Sequence, residues 1–334
     1  MITIKDVAQK AGVSPATVSR VITAKGNVKK ETETLVWNCI EELGFKPNIL
    51  AQQLRQQRTN IVNVIVPDVT NLFFGPIIRG IENIAEANNY KVYIVDVKNS
   101  SETEYSYISS LTQKQVDGII SLSSTAAIKT VAKMTSGFPI VLAVQYYEDS
   151  TIPNVGVDNV AASKEIVNHV ISLGHKKIAY ITSFPNNALY RDRLTGYLRA
   201  LEENRIKVDM QKVFYTPNSS LNSGYQIGKE ILQDESITAI CTAGDPLAMG
   251  VIKAASEMGI SVPEKLSVTG FDDIEFARFF SPELTTIHQP TTELGERAMC
   301  ILLDLINGKK LDNSRVILKH DMVVRGSTAP VRQD

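Results

Sequence analysis

Cysteine, histidine and tryptophan are scarce in this chain of 334 residues, at three, four and one. Cys39, Cys241 and Cys300 are odd in number and far apart, which argues against a disulfide framework and a zinc site and points to a reducing compartment. His169, His175, His288 and His320 lack metal-ligand spacing, so neither metal nor cofactor is expected. No apolar run approaches the roughly 18–20 residues that span a bilayer. The first residues, Met1-Ile2-Thr3-Ile4-Lys5-Asp6, hold no apolar signal core, and cytoplasmic residence is the expectation. No Gly-x-Ser-x-Gly elbow and no Gly-x4-Gly-Lys-[Ser/Thr] loop occurs, which argues against the corresponding enzymes. Near Asp334 there is no heptad pattern, so no tetramerising coiled coil is expected. What is present is ordinary globular material, 43% hydrophobic and 21% charged, long enough for two or three domains.

The net charge of −1 conceals an asymmetry. Residues 1–60 hold nine of the 35 Lys/Arg and five of the 36 Asp/Glu, a surplus of four; the remainder holds 26 against 31. A small basic head on an acidic body suits contact with a polyanion.

Within the head, Ile4, Val7, Ala8 and Ala11 recur at helical spacing behind Thr3, a candidate N-cap with Asp6 in capping-box range. Gly12-Val13 ends that helix. Ser14 caps a second over 16–22, with Pro15 at its first position, where the missing N–H costs nothing. Its Val18, Val21 and Ile22 turn inward. A third helix runs from about 31 to 43 with Leu35, Val36, Cys39, Ile40 and Leu43 on one face and Gly44 at C′. Two helices joined by a tight glycine turn form a helix-turn-helix. Periodicity alone fits a packing bundle equally well. The exposed face of the second helix favours DNA. Ser14, Pro15, Ala16 and Thr17 are small enough to approach base edges, the hydroxyls of Thr3, Ser14, Thr17 and Ser19 suit phosphates, and Arg20 suits guanine or phosphate.

Thr3-Ile4-Lys5-Asp6-Val7-Ala8, Ala11-Gly12-Val13-Ser14, Thr17-Val18-Ser19-Arg20-Val21 and Glu42-Leu43-Gly44-Phe45-Lys46-Pro47-Asn48 resemble the DNA-binding head of the lactose/galactose repressor (LacI/GalR) family. The resemblance places Pro15, Ala16 and Arg20 at base-reading positions. Residues 48–57 read on their own as a marginal helix or a solvated linker. By resemblance they form a hinge helix through Asn48, Ala51 and Leu54, with Leu54 wedged into the minor groove and Arg55 and Arg58 making phosphate or groove contacts.

Past Ile61 the pattern alternates strand and helix, restarts after Gly156-Val157-Asp158-Asn159, and closes with strand 284–288, helix 291–307 and strand 316–325. This predicts an α/β body of two doubly wound parallel-sheet lobes joined to an all-α head, with a cleft at the strand carboxyl ends. The resemblance extends along nearly the whole chain through Asn71-Leu72-Phe73-Phe74, Gly174-His175-Lys176-Lys177-Ile178, Asp245-Pro246-Leu247-Ala248-Met249-Gly250 and Gly270-Phe271-Asp272-Asp273. It implies a periplasmic-binding-protein-like body with these limits: head 1–47, hinge and linker 48–59, effector-binding and dimerisation body 60–334. The first lobe would take about 60–158 and 290–318, the second about 159–289 and 319–330.

By resemblance the effector site draws on Phe73 and Phe74 as an apolar wall, Arg193 as a clamp, Asp272 as an acceptor for ligand hydroxyls, and Gln289 and Asp245 as polar neighbours. Asp158 and Asp245 also read as helix caps, and Arg193 could pair with Asp272 to lock the lobes. Val144, Ser219 and Gly244 depart from the family pattern, Val144 by replacing a sugar-binding carboxylate. Arg191 and Arg193, placed on one loop, extend the expected effector from a sugar to a sugar phosphate. The implied function is a regulator, most simply a repressor, acting as a homodimer on a pseudo-palindromic double-stranded operator under control of that effector. It would associate with the nucleoid when bound, and a phosphocarrier co-repressor is left open. The competing readings are a sugar-binding protein or a sugar-active enzyme that uses its head only for packing.

Overall fold

A computed structural model describes residues 2–23, 27–46, 58–123, 126–146, 151–183, 187–311 and 313–332. They fall into two compact units, Met1–Thr59 and Asn60–Asp334.

In the first unit, helix α1 (Ile4–Lys10) opens on a capping box. Thr3 donates its backbone N–H to Asp6 Oδ2 at 2.7 Å and its hydroxyl to the same oxygen at 2.8 Å. Gly12 supplies the positive φ of +63° that turns the chain toward α2 (Pro15–Thr23). There Thr17 donates its N–H to Ser14 Oγ at 3.1 Å. Helix α3 (Lys30–Leu43) stops at Gly44, whose φ of +62° forms a left-handed cap. Val7, Ala8, Val18, Val21, Val36, Cys39 and Ile40 make the core. Leu35, expected on the buried face of α3, is instead 47% exposed. The contact stripe is the i, i+3, i+4 set Val36, Cys39 and Ile40, and two short helices are too narrow a partner to cover its edge.

The second unit alternates as expected: β1 (Ile61–Val66), α4 (Phe74–Ala87), β2 (Lys91–Asp96), α5 (Ser101–Thr112), β3 (Gly118–Ser121), α6 (Ile128–Met134), β4 (Ile140–Ala143) and β5 (Asn154–Val157). There follow α7 (Asn159–Ser172), β6 (Ile178–Ser183), α8 (Ala188–Glu203), β7 (Val213–Thr216), α9 (Leu221–Ile231), β8 (Ala239–Thr242), α10 (Asp245–Glu257) and β9 (Ser267–Thr269). The chain closes with β10 (Thr286–His288), α11 (Thr291–Ile306), β11 (Arg315–Leu318) and β12 (Asp321–Val323). One sheet is parallel throughout, in the order β11-β5-β4-β3-β1-β2; the other runs β7-β6-β8-β9, also parallel. β10 and β12 add an antiparallel ribbon. Strands β3, β4, β5, β6 and β8 are buried along their length, as helices on both faces require.

Close helix packing is written in glycine. A Cβ on Gly80 of α4 would stand 2.1 Å from the Thr292 carbonyl oxygen of α11, and one on Gly295 would stand 2.0 Å from that of Ile77. Backbone therefore meets backbone between these helices.

Two expectations are corrected. The terminal strand 316–325 is two strands: β11 completes the first sheet beside β5, and β12 pairs with β10 near the second. The chain changes lobe between Leu318 and Asp321, so one continuous strand could not serve both sheets. Strand β5 is additional to the expected alternation, because the four residues Asn154–Val157 are too short to carry a periodic pattern. The chain passes between the lobes here and twice more, at 157–159 and at 288–291. Among the described residues no helix is long and apolar enough to cross a membrane.

Candidate functional site

The surface of α2 presents Ser14, Pro15, Ala16 and Arg20 exposed, with Thr17 and Ser19 half-buried; Thr3 is exposed at the start of α1. Ser14 Oγ lies 2.9 Å from Thr17 Oγ1, so these hydroxyls are ordered by the helix cap. Arg20 makes no ion pair among the described residues. Asn48, Ala51, Leu54 and Arg55 lie outside the described residues.

The cleft between the lobes is built at strand carboxyl ends, where helix N-termini and loops can present side chains. Arg193, near the start of α8, is 2% exposed. Its Nε donates to Asn159 Oδ1 at 2.9 Å and its Nη1 to the Ala243 carbonyl at 2.6 Å. Its Nη2 pairs with Asp272 Oδ1 at 3.1 Å, and the guanidinium lies 3.6 Å from the Phe271 ring centre. The same Asp272 oxygen accepts from Gln289 Nε2 at 2.7 Å. The second oxygen, Oδ2, accepts no hydrogen bond among the described residues; a Cβ on neighbouring Gly244 would stand 3.7 Å from it.

Asp272 holds a φ of +114° and Asp273 one of +53°. Such backbone costs of the order of 1–3 kcal/mol per residue and persists only when its surroundings overdetermine it. Three contacts do so. Asp245 Oδ2 accepts the Ile274 N–H at 2.8 Å, Arg325 Nη2 donates to Asp273 Oδ1 at 2.7 Å, and Asp272 N–H donates to the Ile287 carbonyl at 2.9 Å. Asp245 is fully buried, its other oxygen taking the Thr286 hydroxyl at 2.6 Å. It does not cap α10, since Gly244 holds the N-cap position. Asp158 does cap α7, accepting the Ala161 N–H at 2.9 Å.

Burial pushes the Asp245 carboxyl well above its ordinary value, and the nearby Asp272 charge adds to this. Burial also raises Asp272, while the Arg193 charge and the Gln289 hydrogen bond pull it back. The buried ion pair stays within one lobe, because α8 and the loop after β9 both belong to the second sheet. The expectation that this pair locks the two lobes together is thereby corrected.

Opposite Asp272 stands the first lobe's loop before α4. Leu72, Phe73 and Pro76 face Asp272, Asp273 and Phe276 across a cavity of about 250 Å³. Phe74 begins α4, is buried, and meets Phe73 edge-on at 5.5 Å. Of the expected residues, Phe73 and Asp272 line this cavity; Arg193 and Gln289 stand behind it as partners of Asp272, Asp245 braces the backbone of the lining residue Ile274, and Phe74 packs on Phe73. Sequence reasoning missed Asn159, which steers Arg193. It carries no local signal, since its partner lies 34 residues away. Arg191 and Arg193, expected on a loop, lie on α8.

A family model described as "Bacterial regulatory proteins, lacI family" matches residues 3–48, and one described as "Periplasmic binding protein-like domain" matches 167–328. The HTH-type transcriptional regulator RegA of Clostridium saccharobutylicum is 36% identical over 97% of this chain and 98% of its own length. The chain belongs to the LacI family. This LacI-family regulator is also similar in structure to the lac repressor dimer bound to operator and an anti-inducer, with 27% identity, a TM-score of 0.88, and coverage of 98% and 99% of the two chains. A LacI-family regulator from Enterococcus faecium with bound ribose matches 81% of this chain and all of its own, with 30% identity and a TM-score of 0.74. The protein is a DNA-binding transcription regulator of repressor type, and its relatives are regulators, not enzymes.

Proposed function

We propose that the protein is a homodimeric repressor whose operator affinity is set by a small, uncharged, hydroxyl-rich effector, a sugar, bound between the lobes. The observation that carries this reading is the open oxygen of Asp272. A half-buried carboxylate with one vacant acceptor position suits a ligand hydroxyl, while Phe73 and Pro76 offer an apolar surface for a ring face. A phosphate fits less well. Asp272, Asp273 and Glu275 line the cavity, no Lys or Arg does among the described residues, and the Arg193 charge is already matched by Asp272. The sugar is thus favoured over the sugar phosphate. Ribose in the E. faecium regulator supports the same class.

In this reading α2 enters the major groove and Arg20 supplies the main hydrogen-bonding contact to base edges. The dimer in the operator-bound lac repressor structure supports a two-fold arrangement on a pseudo-palindromic site in the cytoplasm. Calorimetric titration with neutral sugars and with their phosphates tests the effector class. Heat from a neutral sugar that vanishes in Asp272→Ala is expected. Binding of phosphorylated sugars alone would overturn the reading.

A further inference from the structure

Tyr146 follows β4 in the first lobe, whereas Asp192 lies on α8 in the second. The Tyr146 hydroxyl donates to Asp192 Oδ2 at 2.5 Å. Arg315, the first residue of β11 and also part of the first lobe's sheet, sets its guanidinium 4.4 Å from the Tyr146 ring centre and fixes the ring from behind. The Asp192 side chain is only 12% exposed, and Arg191 Nε lies 4.0 Å from its Oδ1. A phenol donating to a largely desolvated carboxylate makes a short, charge-assisted bond with little competition from water. This bond spans two bodies that the chain itself joins at three crossings.

We propose that Tyr146 and Asp192 form a latch that sets the angle between the lobes. Asp192 is followed directly by Arg193. Successive residues on a helix point about 100° apart. Helix α8 therefore offers one side chain to the opposite lobe and the next to Asp272 in the cleft. A rotation of α8 that changes either contact changes the other, so the latch and the effector site bias one movable element. The latch depends on the lobe geometry and not on which ligand enters the cleft.

The test uses the full chain without ligand. One spin label goes on the exposed native Cys300 of α11, and a second on Lys207→Cys, exposed beyond α8; Cys39 and Cys241 are buried. Labelled protein is diluted with unlabelled protein, so that distances within one chain dominate. Double electron–electron resonance then reads the distance between the lobes. Tyr146→Phe, which removes one oxygen, should shift the distribution to a population absent from the parent. Asp192→Leu should shift it likewise, and the double variant should go no further than either single one. Unchanged distributions in both singles would overturn the latch, as would shifts that add in the double. Thermal melting of each variant separates loss of the latch from loss of the fold.

Discussion

Arg20 on α2 and Arg193 on α8 carry the same side chain into opposite settings. Arg20 is exposed and makes no ion pair among the described residues. Arg193 is buried, with Asn159, Ala243 and Asp272 all holding its guanidinium. In the proposed reading a phosphate or base edge replaces the water around the head's cation, which would make binding there electrostatic and salt-dependent. The cleft satisfies its cation in advance, which leaves an ordered frame around one vacant acceptor. Substitutions in the cleft should therefore act on the fold first, and those on α2 on DNA first.

Arg193→Ala is the strongest way to break this contrast. It strands Asp272 beside an empty space, and removing one partner of a buried pair costs about 3–5 kcal/mol. Urea denaturation should show that loss in the body. A loss below about 1 kcal/mol, the range of exposed pairs, would place Arg193 with Arg20. Asp245→Asn sharpens the same point by a smaller step. The Asp245 carboxyl is raised in the folded protein, so the native state binds the proton that the unfolded chain releases. That contribution is fully present below the ordinary carboxylate value of 3.8 and is lost as pH rises through the folded value. The wild type should lose stability relative to Asp245→Asn across that rise; parallel curves would remove the buried acid from the account.

How far sequence reveals each region follows from the range of its contacts. The head's helices announce themselves through caps and periodicity within a few residues: Thr3 with Asp6, Ser14 with Thr17, Gly44 at C′. Only Leu35 misleads, because spacing fixes a face but not its width. In the body, the alternation of strands and helices is equally local and was legible. The route of the last segment was not, since β11 pairs with β5 and β12 with β10, far apart in the chain. In the cleft, the residue types were readable from motifs, but their partnerships were not. Asp245 reads as a helix cap until Thr286, 41 residues on, is seen to take its carboxylate.

The remaining predictions concern the head. Arg20→Ala should cost about 1–3 kcal/mol in discrimination between bases while changing stability by less than about 0.5 kcal/mol. Operator competition against altered sites measures the first, and melting of the variant the second. Equal loss on every sequence would reduce Arg20 to a phosphate contact. Ser14→Ala should be the mildest, at about 1 kcal/mol from the lost cap of α2. Hydrogen exchange at the Thr17 amide, which donates to Ser14 Oγ, reads that loss locally. Unchanged protection there would show that the Ser14 carbonyl, 2.9 Å from the same amide, holds this turn without the hydroxyl.

The most direct test of the whole account is operator affinity measured by fluorescence anisotropy while a neutral sugar that binds the cleft is titrated, for wild type and for Asp272→Ala. The account predicts a salt-steep affinity that changes with sugar in the wild type and stays fixed in Asp272→Ala. An operator affinity that shifts equally in both proteins would contradict it, because the ligand would then be acting without the carboxylate on which the cleft is built.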